Sequence, residues 1–234
     1  MIVLRDPLTP PSPPEGAREF FSIFGLGAVA RWIVAILFAA FFAFPAAAAP
    51  IKILALGTSL TQGYGVPPGL DFTAVLQDRL KASGIDAKVI NAGVSGDTSS
   101  DGLSRLDWSL ADHPDAAIIE MGSNDALRGQ SPALTEKNLT AILTKLKTAH
   151  VPVLLTGMKA PRNFGAEYAA QFDPIYPRLA KKFGTLFYPF ILDGVALNPK
   201  LNQADGIHPN PDGVKIVVAR ILPYVKQLVL QAKH

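Results

Sequence analysis

The chain has 234 residues, 49% of them hydrophobic and 18% charged, with a formal net charge of +3 and no cysteine. That length supports one domain with a full core rather than two. The missing cysteine excludes a disulfide framework, a thiolate nucleophile and a Cys-ligated metal, and the scattered Lys and Arg residues, only Lys181-Lys182 adjacent, argue against a nucleic-acid surface.

Residues 1–49 read as a leader ahead of a domain spanning residues 50–234. Arg31 precedes an apolar run, Trp32 to Phe44, which passes into Pro45 and the small residues Ala46 to Ala49. A charged region, a short apolar stretch and a small-residue site in that order predict a secretory signal, and so a periplasmic or secreted protein. The competing reading is an uncleaved membrane anchor, because residues 20–29 add apolar length; Arg31 interrupts that run. Residues 6–19 are Pro-rich and of mixed charge, unusual in a signal, which fits a translation start near Val29. Without residues 1–49 the chain loses Arg5, Arg18 and Arg31 against Asp6, Glu15 and Glu19, so the net charge stays at +3.

From Ile51 onward, apolar runs alternate with amphipathic stretches. Strands are expected at residues 51–57, 87–91, 116–121, 151–156 and 185–188. Glu120 is the only charge in the third run and belongs near its end. Helices are expected at residues 72–83, where Phe72, Val75, Leu76 and Leu80 fall on one face, and at 103–110, 133–149, 168–183 and 214–231. Pro174 and Pro177 must kink or split the fourth helix, and Pro223 bends the last.

Five short hydrophobic strands, each followed by a helix, predict an α/β fold: a three-layer α/β/α sandwich around a five-stranded parallel sheet, flavodoxin-like in order. In such sheets sites form outside the carboxyl ends of the strands. Ser59 follows the first strand, Gly96 the second, Asn124 the third, and Asp205 and His208 the fifth, so the residues with chemistry share one edge.

Asp205-Gly206-Ile207-His208-Pro209-Asn210 carries a carboxylate three residues before a histidine. In a loop that spacing lets Asp205 accept a hydrogen bond from one ring nitrogen and leaves the other as a base. Ser59, in the polar turn Gly57-Thr58-Ser59-Leu60, supplies a hydroxyl for it to activate. Attack on an ester carbonyl needs donors for the new oxyanion; candidates are the backbone N–H groups of Ser59 and Gly96 and the side-chain amide of Asn124. Asp97 and Asp125, near the same blocks, are expected to bond backbone N–H groups in their own turns. His113, His150 and His234 read as surface residues. No His/Asp/Glu cluster has metal-ligand spacing, so neither metal nor cofactor is expected.

These blocks resemble those of the SGNH hydrolases, or GDSL esterases. The resemblance is nearest to the periplasmic thioesterase I, lysophospholipase L1 and arylesterase branch, through Gly96-Asp97-Thr98-Ser99, Asn124-Asp125-Ala126-Leu127-Arg128-Gly129 and the Asp205 to Asn210 loop. It covers the chain from about Ile51 to Leu230 with the blocks in order. It implies Ser59 as nucleophile, His208 as general base and then acid, Asp205 as the orienting carboxylate, and Gly96 with Asn124 as oxyanion donors. Thr58 stands where the family usually has Asp. That Asp is outside the triad, so activity is expected to survive with altered hydrogen bonding; if its charge supports the turn, Thr58→Asp should raise stability or rate.

Met158, Pro161 and Phe164, with Tyr168 behind them, follow the fourth strand and are candidates to line an acyl or aryl site, or else pack the loop onto its own helix. The implied partners are small ester or thioester substrates, with transient lipid contact, and the implied working form is a monomer. Two other functions fit parts of the chain: carbohydrate O-deacetylation on the same fold, and flavin binding by a flavodoxin-like module, which would have no use for Asp205, His208 or Asn124. An α/β-hydrolase is disfavoured because Thr61 stands where the G-x-S-x-G elbow needs glycine.

Overall fold

A computed structural model describes residues 49–232; the leader, with its signal and anchor readings, lies outside them. From Pro50 onward the chain forms one compact unit. Its centre is a sheet of five parallel strands in the order β2-β1-β3-β4-β5: β1 (Ile51–Gly57), β2 (Ala87–Gly93), β3 (Ala116–Ile119), β4 (Val153–Thr156) and β5 (Leu186–Tyr188).

The continuous apolar runs mark the strands covered on both faces. Ile53, Leu54, Ala55 and Leu56 of β1 are buried, as is every residue of β3 and β4, whereas the edge strands β2 and β5 are only partly covered. Among the described residues are eight α-helices; α2 (Phe72–Ala82) packs with α8 (Pro211–Ala232), while α3 (Ser99–Leu110), α5 (Pro132–Thr148) and α7 (Ile175–Phe183) pack successively against one another. With two helix groups around a doubly covered sheet, the expected three layers are present.

Three differences from the periodicity reading have local causes. Helix α3 begins at Ser99, four residues before the first apolar position, because Thr98 and Asp101 form a capping box. Its polar first turn is held by side-chain acceptors that hydrophobic spacing does not register. The helix expected over 168–183 starts three residues earlier, and of the two outcomes its prolines allow it takes the split: α6 (Gly165–Phe172) and α7, with Pro174 at the N-cap of α7. Pro177 falls in the first turn of α7, where a missing N–H breaks no helical bond. Helix α8 starts earlier than expected, with Pro211 in first position, and runs through Pro223.

Winding reverses between β1, paired with β2 on one side, and β3 on the other. A crevice opens at that switch point beyond the strand ends, and two short helices start there: α1 (Ser59–Gln62) and α4 (Ser123–Leu127). Neither is long enough to show a period.

Candidate active site

Ser59 opens α1 directly after β1. The last residue of β1, Gly57, has no room for a side chain, since a Cβ would collide with Thr61 Oγ1 and the Glu120 carboxyl. Arg105 of α3 fixes this strand end: its Nη2 donates to Gly57 O at 2.9 Å, its Nη1 to Ala92 O at 2.8 Å, and its Nε to Asp97 at 2.7 Å. Asp97 thus pairs with a guanidinium rather than with N–H groups of its own turn. Asp125, fully buried, reaches out of its turn to Ser99 N, Ser99 Oγ and Thr135 Oγ1.

The histidine loop is a closed turn. Asn202 bridges Pro209, and Gln203 N donates to His208 O at 2.7 Å. Asp205 Oδ1 accepts from Ile207 N and His208 N, each at 3.0 Å, while Oδ2 lies 2.7 Å from His208 Nδ1. These bonds, the ring N–H first, hold the Asp205 carboxyl down at about 2. An ionised carboxylate can only accept, so Nδ1 carries the proton and Nε2 presents its lone pair. His208 Nε2 lies 2.8 Å from Ser59 Oγ. Tyr64 packs its ring on the imidazole with centroids 4.7 Å apart.

The loop after β2 is tied to both neighbours. Val94 N donates to Gly57 O, Asn124 Nδ2 to Asp97 O at 2.9 Å, and Arg128 Nη2 to Gly96 O at 2.8 Å. Among the described residues neither Ser59 N–H nor Gly96 N–H has a protein acceptor. Gly96 stands at φ +85°, with Arg128 Nη2 at ordinary contact distance, 3.5 Å, from where a Cβ would lie, so it is the left-handed backbone that calls for glycine here. Gly96 itself does not line the cleft.

That cleft has a volume of about 220 Å³, and Ser59, Asn124 and His208 lie in its wall. Met158 and Pro161 line it, as the sequence suggests; Phe190 and Leu192, from the irregular segment after β5, do so without any periodic signal. Its rim carries Leu127, Ile207 and Leu197, the last 94% exposed and at φ +63°. Phe164 does not belong to it: its ring covers Gly129 and faces Tyr168 at 5.4 Å, and Tyr168 in turn donates to Gln130 O. Phe164 thus packs on Tyr168 of the following helix, and both meet the Gly129-Gln130 turn after α4.

Beneath Ser59 lies Glu120, 2% exposed, just past the end of β3. Its Oε2 accepts from Thr58 N at 2.8 Å and from Thr61 Oγ1 at 2.9 Å, and Thr58 Oγ1 donates to the same carboxyl. Burial pushes this carboxyl up from its ordinary range, against the pull of the same hydrogen bonds. Among the described residues no group of three or more His, Cys, Asp or Glu is placed to hold a metal ion.

Residues 55–216, the span from β1 to the start of α8, match the family model described as GDSL-like Lipase/Acylhydrolase. The chain belongs to this family. It is 39% identical to thioesterase 1/protease 1/lysophospholipase L1 of Escherichia coli strain K12, over 86% of this chain and 95% of that one. It is 38% identical to the arylesterase of Vibrio mimicus, over 78% and 89% of the two chains. In structure it is similar to AlinE4, an SGNH-hydrolase family esterase, with a TM-score of 0.67 and 44% identity over 78% of this chain and 98% of that one. The protein is therefore a carboxylic ester hydrolase with the SGNH fold. Its sheet order is shared with flavodoxins, but function follows the site and not the sheet.

Proposed function

We propose that the protein hydrolyses carboxylic esters with an apolar acyl or aryl group through an acyl-enzyme on Ser59. The observation that carries this reading is the relay from Asp205 through His208 to Ser59, with contacts of 2.7 and 2.8 Å. Ser59 Oγ attacks the carbonyl carbon and passes its proton to His208 Nε2. The oxyanion is taken by the Ser59 N–H and the Asn124 amide, both residues of the cleft wall, with the Gly96 N–H of the loop after β2, which has no acceptor among the described residues, as the third donor. His208 then protonates the leaving alcohol or thiol, and water repeats the sequence to release the acid.

The substrate range follows from the cleft. At about 220 Å³ it is smaller than a typical drug-sized pocket, and its walls are Met158, Pro161, Phe190 and Leu192. It suits an acetyl to medium acyl group, or an aryl ring, inside, with a longer chain continuing over Leu127, Leu197 and Ile207. Aryl esters, acyl thioesters and lysophospholipids, the classes in the relatives' names, are proposed on that basis, with brief contact between this rim and lipid. Every residue of the relay comes from one chain, so a monomer suffices. No helix among the described residues is long and apolar enough to cross a membrane; residues 1–49 are proposed as an export signal for the domain at 50–234, which places the enzyme in the periplasm or outside the cell.

The test is turnover of aryl acetate, long-chain acyl thioester, lysophospholipid and acetylated sugar by the protein lacking residues 1–49, with Ser59→Ala as control. Hydrolysis of the apolar esters and phosphonate labelling at Ser59 are expected. Turnover confined to the acetylated sugar would replace this reading with carbohydrate deacetylation.

A further inference from the structure

The Glu120 carboxyl takes no part in the relay, and among the described residues none of its hydrogen-bond partners is a cation. A buried acid without a counter-charge is costly, and its bonds all go to one place. Thr58 N–H and Thr58 Oγ1 lie immediately before Ser59, and Thr61 Oγ1 two residues after it. The carboxyl therefore grips the turn on both sides of Ser59. Its own backbone is set by the sheet, since Glu120 N donates to Leu56 O at 2.8 Å and extends the β1–β3 pairing by one bond. Gly57 leaves open the space where the carboxyl meets Thr61. The Thr58 hydroxyl makes no capping bond to α1 and turns instead to Glu120, just past the end of β3.

We propose that Glu120 is a positioning residue for the nucleophile: by clamping Thr58 and Thr61 it aims Ser59 Oγ at His208 Nε2 and the Ser59 N–H into the cleft. The inference rests on the reading of Ser59 as nucleophile. A carboxamide of the same shape offers one carbonyl oxygen, able to accept from Thr58 N–H and Thr61 Oγ1, and an NH2 group able to donate to Thr58 Oγ1. Gln is therefore the replacement that keeps the clamp, and Ala the one that removes it.

Wild type, Glu120→Ala, Glu120→Gln and Thr61→Val are compared for kcat and KM on an aryl acetate and for the rate of phosphonate labelling at Ser59. Because a misaimed nucleophile costs on the order of 10²-fold, Glu120→Ala is expected to lose about that much in kcat and labelling rate, with KM little changed. Glu120→Gln restores most of the loss, and Thr61→Val, which removes one of the gripping hydroxyls, falls between. A folded Glu120→Ala with wild-type kcat, or a Glu120→Gln as slow as Glu120→Ala, overturns the clamp. If Glu120→Ala does not fold, Thr61→Val decides: a lower kcat at unchanged KM supports the clamp, and wild-type kcat overturns it. Absence of labelling at Ser59 in the wild type removes the nucleophile and the clamp together, whereas labelled wild type with unaffected variants removes the clamp alone.

Discussion

Ser59 and His208 are 149 residues apart in the chain and 2.8 Å apart in the fold. The first hangs from the end of a central strand and the second from a loop closed by its own backbone bonds, so two rigid supports hold the contact. Replacing Ser59 or His208 by Ala should each lower kcat by about 10⁴–10⁶-fold, and the double variant should be little worse, because members of such a relay act as a unit. Steady-state turnover of an aryl ester by the purified variants checks both statements.

Asn124 offers one amide hydrogen to Asp97 O, and among the described residues the other has no acceptor. Asn124→Ala is expected to cost on the order of 10²–10³ in kcat, the usual loss for one oxyanion donor. Steady-state kinetics with KM measured separately decide it, and an unchanged kcat would remove Asn124 from the site.

Asp205 is held down at about 2 by the His208 ring N–H and loop amides, below its unfolded value of about 3.9. Its contribution to stability is therefore complete above that unfolded value and is lost as pH falls through about 2. The melting-temperature difference between wild type and Asp205→Asn should be flat at neutral pH and shrink in strong acid. A difference that grew on acidification would contradict the bonding described.

Thr58→Asp should destabilise, contrary to the gain the sequence suggests for a charge at this turn. Thr58 is 1% exposed and its hydroxyl donates to Glu120. An Asp there would place a second carboxyl against a buried one, and the two cannot both ionise. The pair must retain a proton that the unfolded chain has released, so the loss, roughly 1–3 kcal/mol by analogy with an unsatisfied buried group, deepens as pH rises above the ordinary carboxylate range. Urea melts in weakly acidic and weakly basic buffer measure it.

Leu197 points into solvent at the rim, 94% exposed, on a left-handed backbone. Asn202, buried, pins its turn by donating to Val195 O and Asn198 O. Removing most of one apolar contact surface is worth about 1–3 kcal/mol, so Leu197→Ala should lower the ratio of long-chain to acetate kcat/KM by roughly tenfold. An unchanged chain-length profile would show that long chains leave the cleft elsewhere.

The parallel strands were legible because burial on both faces leaves an unbroken apolar run, as in Ile53 to Leu56 and Ala116 to Ile119. The Asp205 and His208 pair was legible because its geometry is local: three residues of one turn suffice to place a carboxylate on a ring nitrogen. Met158 and Pro161 reached the cleft as a short loop after a strand must. Phe164 did not: still 41% exposed, its ring lies over Gly129 and beside Tyr168 instead, contacts that spacing along the chain does not register.

By itself the sequence determined the strands, most of the helices and the sheet edge at which the candidate site residues gather, all of which depend on spacing along the chain. Only the tertiary structure decided what Thr58 and Thr61 bond to, why Arg105 lies beneath the turn, and which side chains wall the cleft. Those are pairings across 62, 59 and 48 residues of chain, and packing in three dimensions, not periodicity, selects which distant groups meet.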